Sequence, residues 1–181
     1  MSLEELREQN IRLVTEKALE CFIKNGINNT RVSEIAAESG LTQRSVFRYF
    51  PSKDDIVIAA AFCYWERTKA YIARELRRHT DDAQTGIEQI NIILNSYANM
   101  LFVDPEGIRF SLDAEVALYS VGKNAHVINR PPERYEAYKG PLSQAVRRGL
   151  ADGTVDPGAN IKQLYYNAYD SILGMMQRLT V

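Results

Sequence analysis

Several features that often decide a protein's class are scarce in this sequence. Its 181 residues include two cysteines, Cys21 and Cys63, and two histidines, with neither C-x-x-C nor H-x-x-x-H spacing. A disulfide framework and a Cys/His zinc site both lack the ligands they need. Each cysteine lies in an apolar helical context, where an inert thiol is expected rather than a redox switch. The longest apolar runs, such as Ile56 to Cys63, fall far short of the roughly 18 to 20 residues that cross a bilayer. The opening MSLEELREQN carries no apolar signal stretch, so the expected location is the cytoplasm, with no membrane partner. Charge of one sign is missing too: 22 Lys and Arg face 23 Asp and Glu. Any polyanion site must therefore be a local patch. No catalytic triad, phosphate-cradling glycine loop or paired-carboxylate spacing occurs, and the expectation is a protein that is not an enzyme and needs no cofactor or metal.

What is present is helical periodicity. Ile11, Val14, Ala18 and Phe22 fall on one face of a helix that Ser2 can start, with Glu5 closing a capping box. Gly26 ends it. Thr30 is the expected N-cap of a short second helix with Val32, Ile35 and Ala36 inward, and Gly40 sits where a left-handed residue follows a helix. Thr42 caps a third helix with Val46 and Phe50 inward, and Pro51 forbids its continuation. Ser52, Asp54 and Asp55 place a cap and negative charge at the start of a long fourth helix. Its stripe is Val57, Ala61, Tyr64, Thr68, Tyr71 and Glu75. Further helices are expected over about 86–102, 106–121, 132–151 and 158–179, with loop chemistry at Asp104-Pro105, from Gly122 to Pro132, and from Gly153 to Gly158. No strand pattern, repeat or low-complexity segment competes, so the fold class is all-α.

Three short helices, the second and third joined by Ser39-Gly40-Leu41-Thr42, have the layout of a helix-turn-helix. In that geometry one helix braces on the DNA backbone while the next lies in the major groove. Helix pairs with a glycine turn are also ordinary packing units, and spacing alone leaves both readings open. With Val46 and Phe50 inward, the exposed side of the third helix carries Gln43, Arg44, Ser45, Arg48 and Tyr49. Gln can read adenine and Arg can read guanine bidentately, which makes Arg44 the foremost candidate for specificity. Thr30, Arg31, Thr42, Tyr49 and Lys53 stand near helix starts or just past the third helix, where hydroxyls, cations and free N–H groups hold phosphates. Residues 1–55 carry eight cations against nine acids, yet residues 40–53 carry three cations and no acid. The positive field is local.

Residues 11–57 resemble the DNA-binding domain of tetracycline-repressor-type (TetR/AcrR) regulators. The resemblance rests on Ala18-Leu19, Phe22, Gly26, Thr30, Val32, Ile35-Ala36, Gly40-Leu41-Thr42 and the run Phe47-Arg48-Tyr49-Phe50-Pro51-Ser52-Lys53-Asp54. Beyond about residue 56 it extends only to layout. Arg44 stands where the family often has a small residue, and Phe47, also placed on the DNA side, stands where a Tyr is usual. The chain stops at Val181 after an expected eighth helix, whereas relatives often carry nine, which bears on the make-up of a dimer interface.

The resemblance implies an N-terminal helix-turn-helix domain over 1–55 and a larger ligand-binding and dimerisation bundle over 56–181. It implies a repressor that binds a palindromic double-stranded DNA operator as a homodimer and is released by an unidentified small-molecule effector. Tyr64, Trp65, Tyr97, Phe110, Glu115 and Tyr119 are the candidate pocket residues, with Asp113 a second candidate carboxylate; each aromatic is equally at home in a plain core. The last two helices carry apolar stripes with small residues interleaved, and Leu142, Val146, Tyr165, Ala168, Tyr169 and Ile172 are the expected dimer interface, with packing inside the protomer as the alternative. Two other functional classes stay open, an all-α enzyme or carrier and a helical protein-interaction module. Arg44→Ala separates them from the regulator, since only a regulator loses activity with its fold intact.

Overall fold

A computed structural model of the chain describes residues 2–79, 81, 83–120 and 141–160, together with 163, 167, 171 and 174. The elements, in chain order, are α1 (Leu3–Asn25), α2 (Val32–Glu38), α3 (Gln43–Tyr49), α4 (Lys53–His79), α5 (Gly86–Val103), α6 (Pro105–Ser120) and α7 (Pro141–Asp152). No strand occurs among the described residues, and among them no helix is long and apolar enough to cross a membrane. The final expected helix, over 158–179, lies largely outside the described residues. So do the segment before Pro141 and the side chain of Tyr119.

Local chemistry explains most of the helix boundaries. Ser2 accepts from the Glu5 N–H while the Glu5 carboxylate accepts from the Ser2 N–H, the expected capping box. Ser52 and Asp55 repeat the device at α4, and Thr85 with Glu88 at α5. The Asp104 carboxylate accepts from Gly107 N–H, and Pro105, which has no N–H to leave unpaired, opens α6. Thr30 departs from its expected role. The N-cap of α2 is Arg31, whose N–H donates to the Glu34 carboxylate at 3.0 Å.

The chain divides into two compact units. The first comprises Met1–Glu66 and Arg109–Asn129, and the second Arg67–Ile108 and Arg130–Val181. Helices α4 and α6 each contribute residues to both. In the first unit α2 packs on α1 and α3 packs on α2. Its core includes Val14, Leu19, Phe22, Ile35, Val46, Ile56 and Val57. Phe110 of α6 stacks on Phe22 of α1, with ring centroids 6.0 Å apart, and meets Tyr64 of α4 edge-on at 6.2 Å. Pairs of this kind stabilise by about 0.5 to 1.5 kcal/mol beyond the area they bury.

The second unit is organised around the crossing of α5 and α7, with Ile72, Ile93 and Ala145 at its centre and Tyr71, Leu76, Ile90, Tyr97 and Leu142 packed against them. The two backbones meet at glycine. A Cβ on Gly86 would fall on the backbone of Gly149, and one on Gly149 would strike Val155. Asp152 and Thr154 fasten the same end, accepting from the Gly86 and Ile87 N–H groups at 2.7 and 3.2 Å.

Candidate nucleic-acid interface

The turn between α2 and α3 is fixed by backbone hydrogen bonds. Gly40 takes φ +65°, a left-handed conformation that costs an L side chain energy. Its N–H donates to Ala37 O at 3.0 Å, and the Leu41 N–H donates to Ala36 O at 2.9 Å. This is a Schellman motif, which satisfies the carbonyls that the end of α2 leaves open. Thr42 then caps α3 by accepting from Ser45 N–H at 3.1 Å, and the Thr42 and Ser45 hydroxyls bond one another at 3.0 Å. A seven-residue helix is not stable alone. Here the cap holds one end, and Val46, 0% exposed, pins its inner face.

The outer face of α3 is polar and open. Gln43, Arg44 and Arg48 are exposed, Phe47 is 40% exposed, and Ser45 and Tyr49 are half-buried. The Arg48 guanidinium lies 5.9 Å from the centre of the Tyr49 ring, a cation–π contact. Arg31 is exposed at the start of α2. Lys53 is half-buried at the first position of α4, and burial pushes its ammonium pKa down against the pull of Asp54 and Glu34. A cation at a helix N-terminus is opposed by the helix dipole, whereas an anion there is favoured.

Thr30 does not join this surface. Its side chain is 1% exposed, and its hydroxyl lies 2.8 Å from Gly26 O and 3.2 Å from Cys21 O. The hydroxyl closes the end of α1, where Gly26 adopts φ +82°, and is not presented to a phosphate. The correction has a physical cause: a threonine beside an exposed helix end gains more from those open carbonyls than from solvent. Sequence reasoning missed Asn10, whose side-chain amide donates to the Tyr49 hydroxyl at 3.1 Å. A polar residue in register with buried Val14 was the available signal.

The candidate pocket residues fall in both units. Tyr64, Trp65 and Phe110 are buried in the first, where Tyr64 and Phe110 meet, and Glu115 is half-buried there. Asp113 is exposed. Tyr97 packs against the core of the second unit. Of the expected dimer residues, Leu142 is half-buried and packs against the core cluster that holds Ala145. Its face of α7 carries the glycine at which α5 crosses, so close packing is met within the chain. Val146 is half-buried, and Tyr165, Ala168, Tyr169 and Ile172 lie outside the described residues. Among the described residues no cluster of His, Cys, Asp and Glu has a metal-binding arrangement.

Residues 14–60 match the family model for bacterial regulatory proteins of the tetR family. The HTH-type transcriptional regulator YuxN of Bacillus subtilis is 30% identical over 90 residues, a stretch that spans 50% of this chain and 30% of that regulator's length. The fatty acid metabolism regulator of the same organism is 21% identical over 149 residues, covering 82% of this chain and 72% of its own. Among solved structures, a transcriptional regulator from Pseudomonas aeruginosa PAO1 shares the fold with a TM-score of 0.62 at 20% identity, covering 96% of this chain and 80% of that one. FadR of B. subtilis, solved with stearoyl-CoA, does so with a TM-score of 0.52 at 16% identity, covering 91% of this chain and 84% of that one. Residues 14–60 thus match the N-terminal domain of the tetR family of bacterial regulatory proteins.

Proposed function

We propose that the protein is a cytoplasmic transcriptional repressor that binds a palindromic operator as a homodimer and releases it on binding a small-molecule effector. The observation that carries this reading is the outer face of α3, where Gln43, Arg44, Phe47 and Arg48 stand exposed while Val46 anchors the helix. In the major groove Arg44 and Arg48 donate to guanine O6 and N7, Gln43 to adenine, and the Phe47 ring meets a thymine methyl group. Arg31, the Thr42 hydroxyl, Ser45, Tyr49 and Lys53 hold phosphates and set the register. One short helix reads too few bases for a unique site, and a twofold dimer doubles the reading.

The effector acts through the helices that the aromatic stack joins. Phe110 lies between Phe22 and Tyr64, so a ligand that displaces it moves α6, α1 and α4 together. Tyr64, Trp65, Phe110 and Glu115, all of the first unit, are the residues assigned to this response. A coupling of about 1 to 3 kcal/mol changes operator affinity roughly 5- to 150-fold. The fatty-acid role of one relative and the stearoyl-CoA held by a structural neighbour support a long-chain acyl-CoA as the first effector to try.

The test is selection of bound fragments from random duplex DNA, followed by titration of the winner at two salt concentrations. Recovery of an inverted repeat, bound with affinity that falls steeply with salt, is expected. Addition of stearoyl-CoA should then lower that affinity. Binding with no sequence preference at either salt concentration would remove the operator, and unchanged affinity across a broad ligand panel would remove the effector.

A further inference from the structure

The Asn10 to Tyr49 hydrogen bond joins α3 to a part of α1 that precedes the family-matched segment 14–60. Arg7, Asn10 and Val14 share one face of α1, since positions i, i+3 and i+7 line up on a helix. Along that face Val14 is buried, Asn10 is half-buried where it meets Tyr49, and Arg7 is exposed. Arg7 therefore stands about one turn, or roughly 5 Å, beyond the contact with α3. The other cations in the body of α1 are engaged: Arg12 pairs with Glu8 at 3.5 Å and Lys17 with Glu20 at 2.8 Å. Among the nearby acids Glu5 is engaged by the Ser2 N–H at 2.7 Å, and Glu4 is exposed in the first turn. Arg7 makes no ion pair within the described residues.

The proton arrangement at Tyr49 has a direction. An amide N–H can only donate, so in the bond from Asn10 the hydroxyl oxygen accepts. The hydroxyl's own proton has no acceptor among the described residues and is free for one on a ligand. Resting on the DNA-binding reading, we propose that the first turns of α1 form a phosphate-contact point: Tyr49 donates to a backbone phosphate, Asn10 is the positioning residue that turns its proton outward, and Arg7 supplies the cation. The interface thus extends beyond the helix-turn-helix along the DNA backbone. Such a contact adds affinity and salt dependence without base preference.

The experiment measures binding of the selected duplex by the full chain across a salt series, with thermal unfolding recorded for each variant. Asn10→Ala is expected to weaken binding about three- to tenfold, the range of one hydrogen bond, and to have no further effect in the Tyr49→Phe background. Arg7→Gln is expected to lower the slope of log affinity against log salt by about one, equally for different base sequences. Equal effects of Asn10→Ala in both backgrounds would reduce Asn10 to a brace for α3 and overturn the proposal. So would an unchanged salt slope in Arg7→Gln. If the wild-type chain binds no duplex, the DNA-binding reading itself fails; if it binds normally and the variants match it, only this proposal does.

Discussion

Helices α3 and α7 are both short, and they use their residues in opposite ways. In α3, seven residues long, Val46 is buried and Arg44, Phe47 and Arg48 stand toward solvent. In α7, twelve residues long, Ala145 and Gly149 are buried and the backbone comes close enough to α5 that no side chain fits at the crossing. The first helix is held by its cap, by one plug and by the Asn10–Tyr49 bond, so exposed Gln43, Arg44 and Arg48 carry no structural duty. The second is held along its length, so substitution there is read as stability. A polar face on a minimally anchored helix points to recognition, and a small-residue face on a tightly crossed helix points to architecture.

Four variants can break or sharpen that contrast. The largest effect is expected at the crossing, where Gly86→Ala forces α5 and α7 apart. It should destabilise by about 3 kcal/mol or more, despite the roughly 1 kcal/mol that alanine ordinarily gains over glycine in a helix. Calorimetry should record a fall in Tm of about 6 to 12 °C. A neutral or stabilising result would dissolve the architectural half of the comparison.

Arg44→Ala tests the other half. Operator binding should weaken by about 1 to 3 kcal/mol, with relaxed preference at one base position and an unchanged Tm. A lowered Tm with specificity intact would make α3 a packing helix like α7. Thr42→Ala lies between the two, because the cap belongs to the frame and to the end of α3 proposed to meet DNA. A loss of about 1 kcal/mol in stability is expected, accompanied by weaker binding.

The smallest effect should depend on pH. The Thr154 hydroxyl, followed by the Gly86 N–H, holds the Asp152 carboxyl pKa below its usual value. A depressed carboxyl pKa contributes stability above the unfolded value, about pH 4, and loses it as pH falls through the folded value. Asp152→Asn should therefore be less stable than the wild type at neutral pH, and urea titrations of the two should converge in strong acid. A gap that stays constant with pH would show that the carboxylate's charge plays no part in fastening α5 to α7.

What could be read from the sequence was local. Ser2 with Glu5, Thr42 and Ser52 with Asp55 are capping signals complete within four residues, and Gly26 and Gly40 end helices by a conformation that other residues rarely take. The outward set on α3 followed from one turn of helical arithmetic around Val46. What could not be read was pairing at long range. Nothing in either local pattern matches Gly86 to Gly149, or Asn10 to Tyr49, 39 residues apart. The apolar stripe on α7 was legible as a packing face, but a stripe does not name its partner, and α5 takes up Leu142 and Ala145. Thr30 shows the same limit in miniature. Its hydroxyl was sited correctly beside a helix start, and the open carbonyls at the preceding helix end decided which way it turned.

The Schellman turn and the Thr42 cap also bear on how quickly and how reversibly α3 can engage a groove. A helix of seven residues would be coil in isolation, so its ordering is completed when the domain folds and not at the moment of encounter. Association then resembles docking of a rigid key, without a folding step on the path. The fraction of molecules with α3 in place enters the apparent dissociation constant directly, because a domain that is half frayed binds half as well. Operator affinity measured against temperature should therefore hold until the domain itself begins to unfold, because the turn from Ser39 to Thr42 is tied by backbone hydrogen bonds.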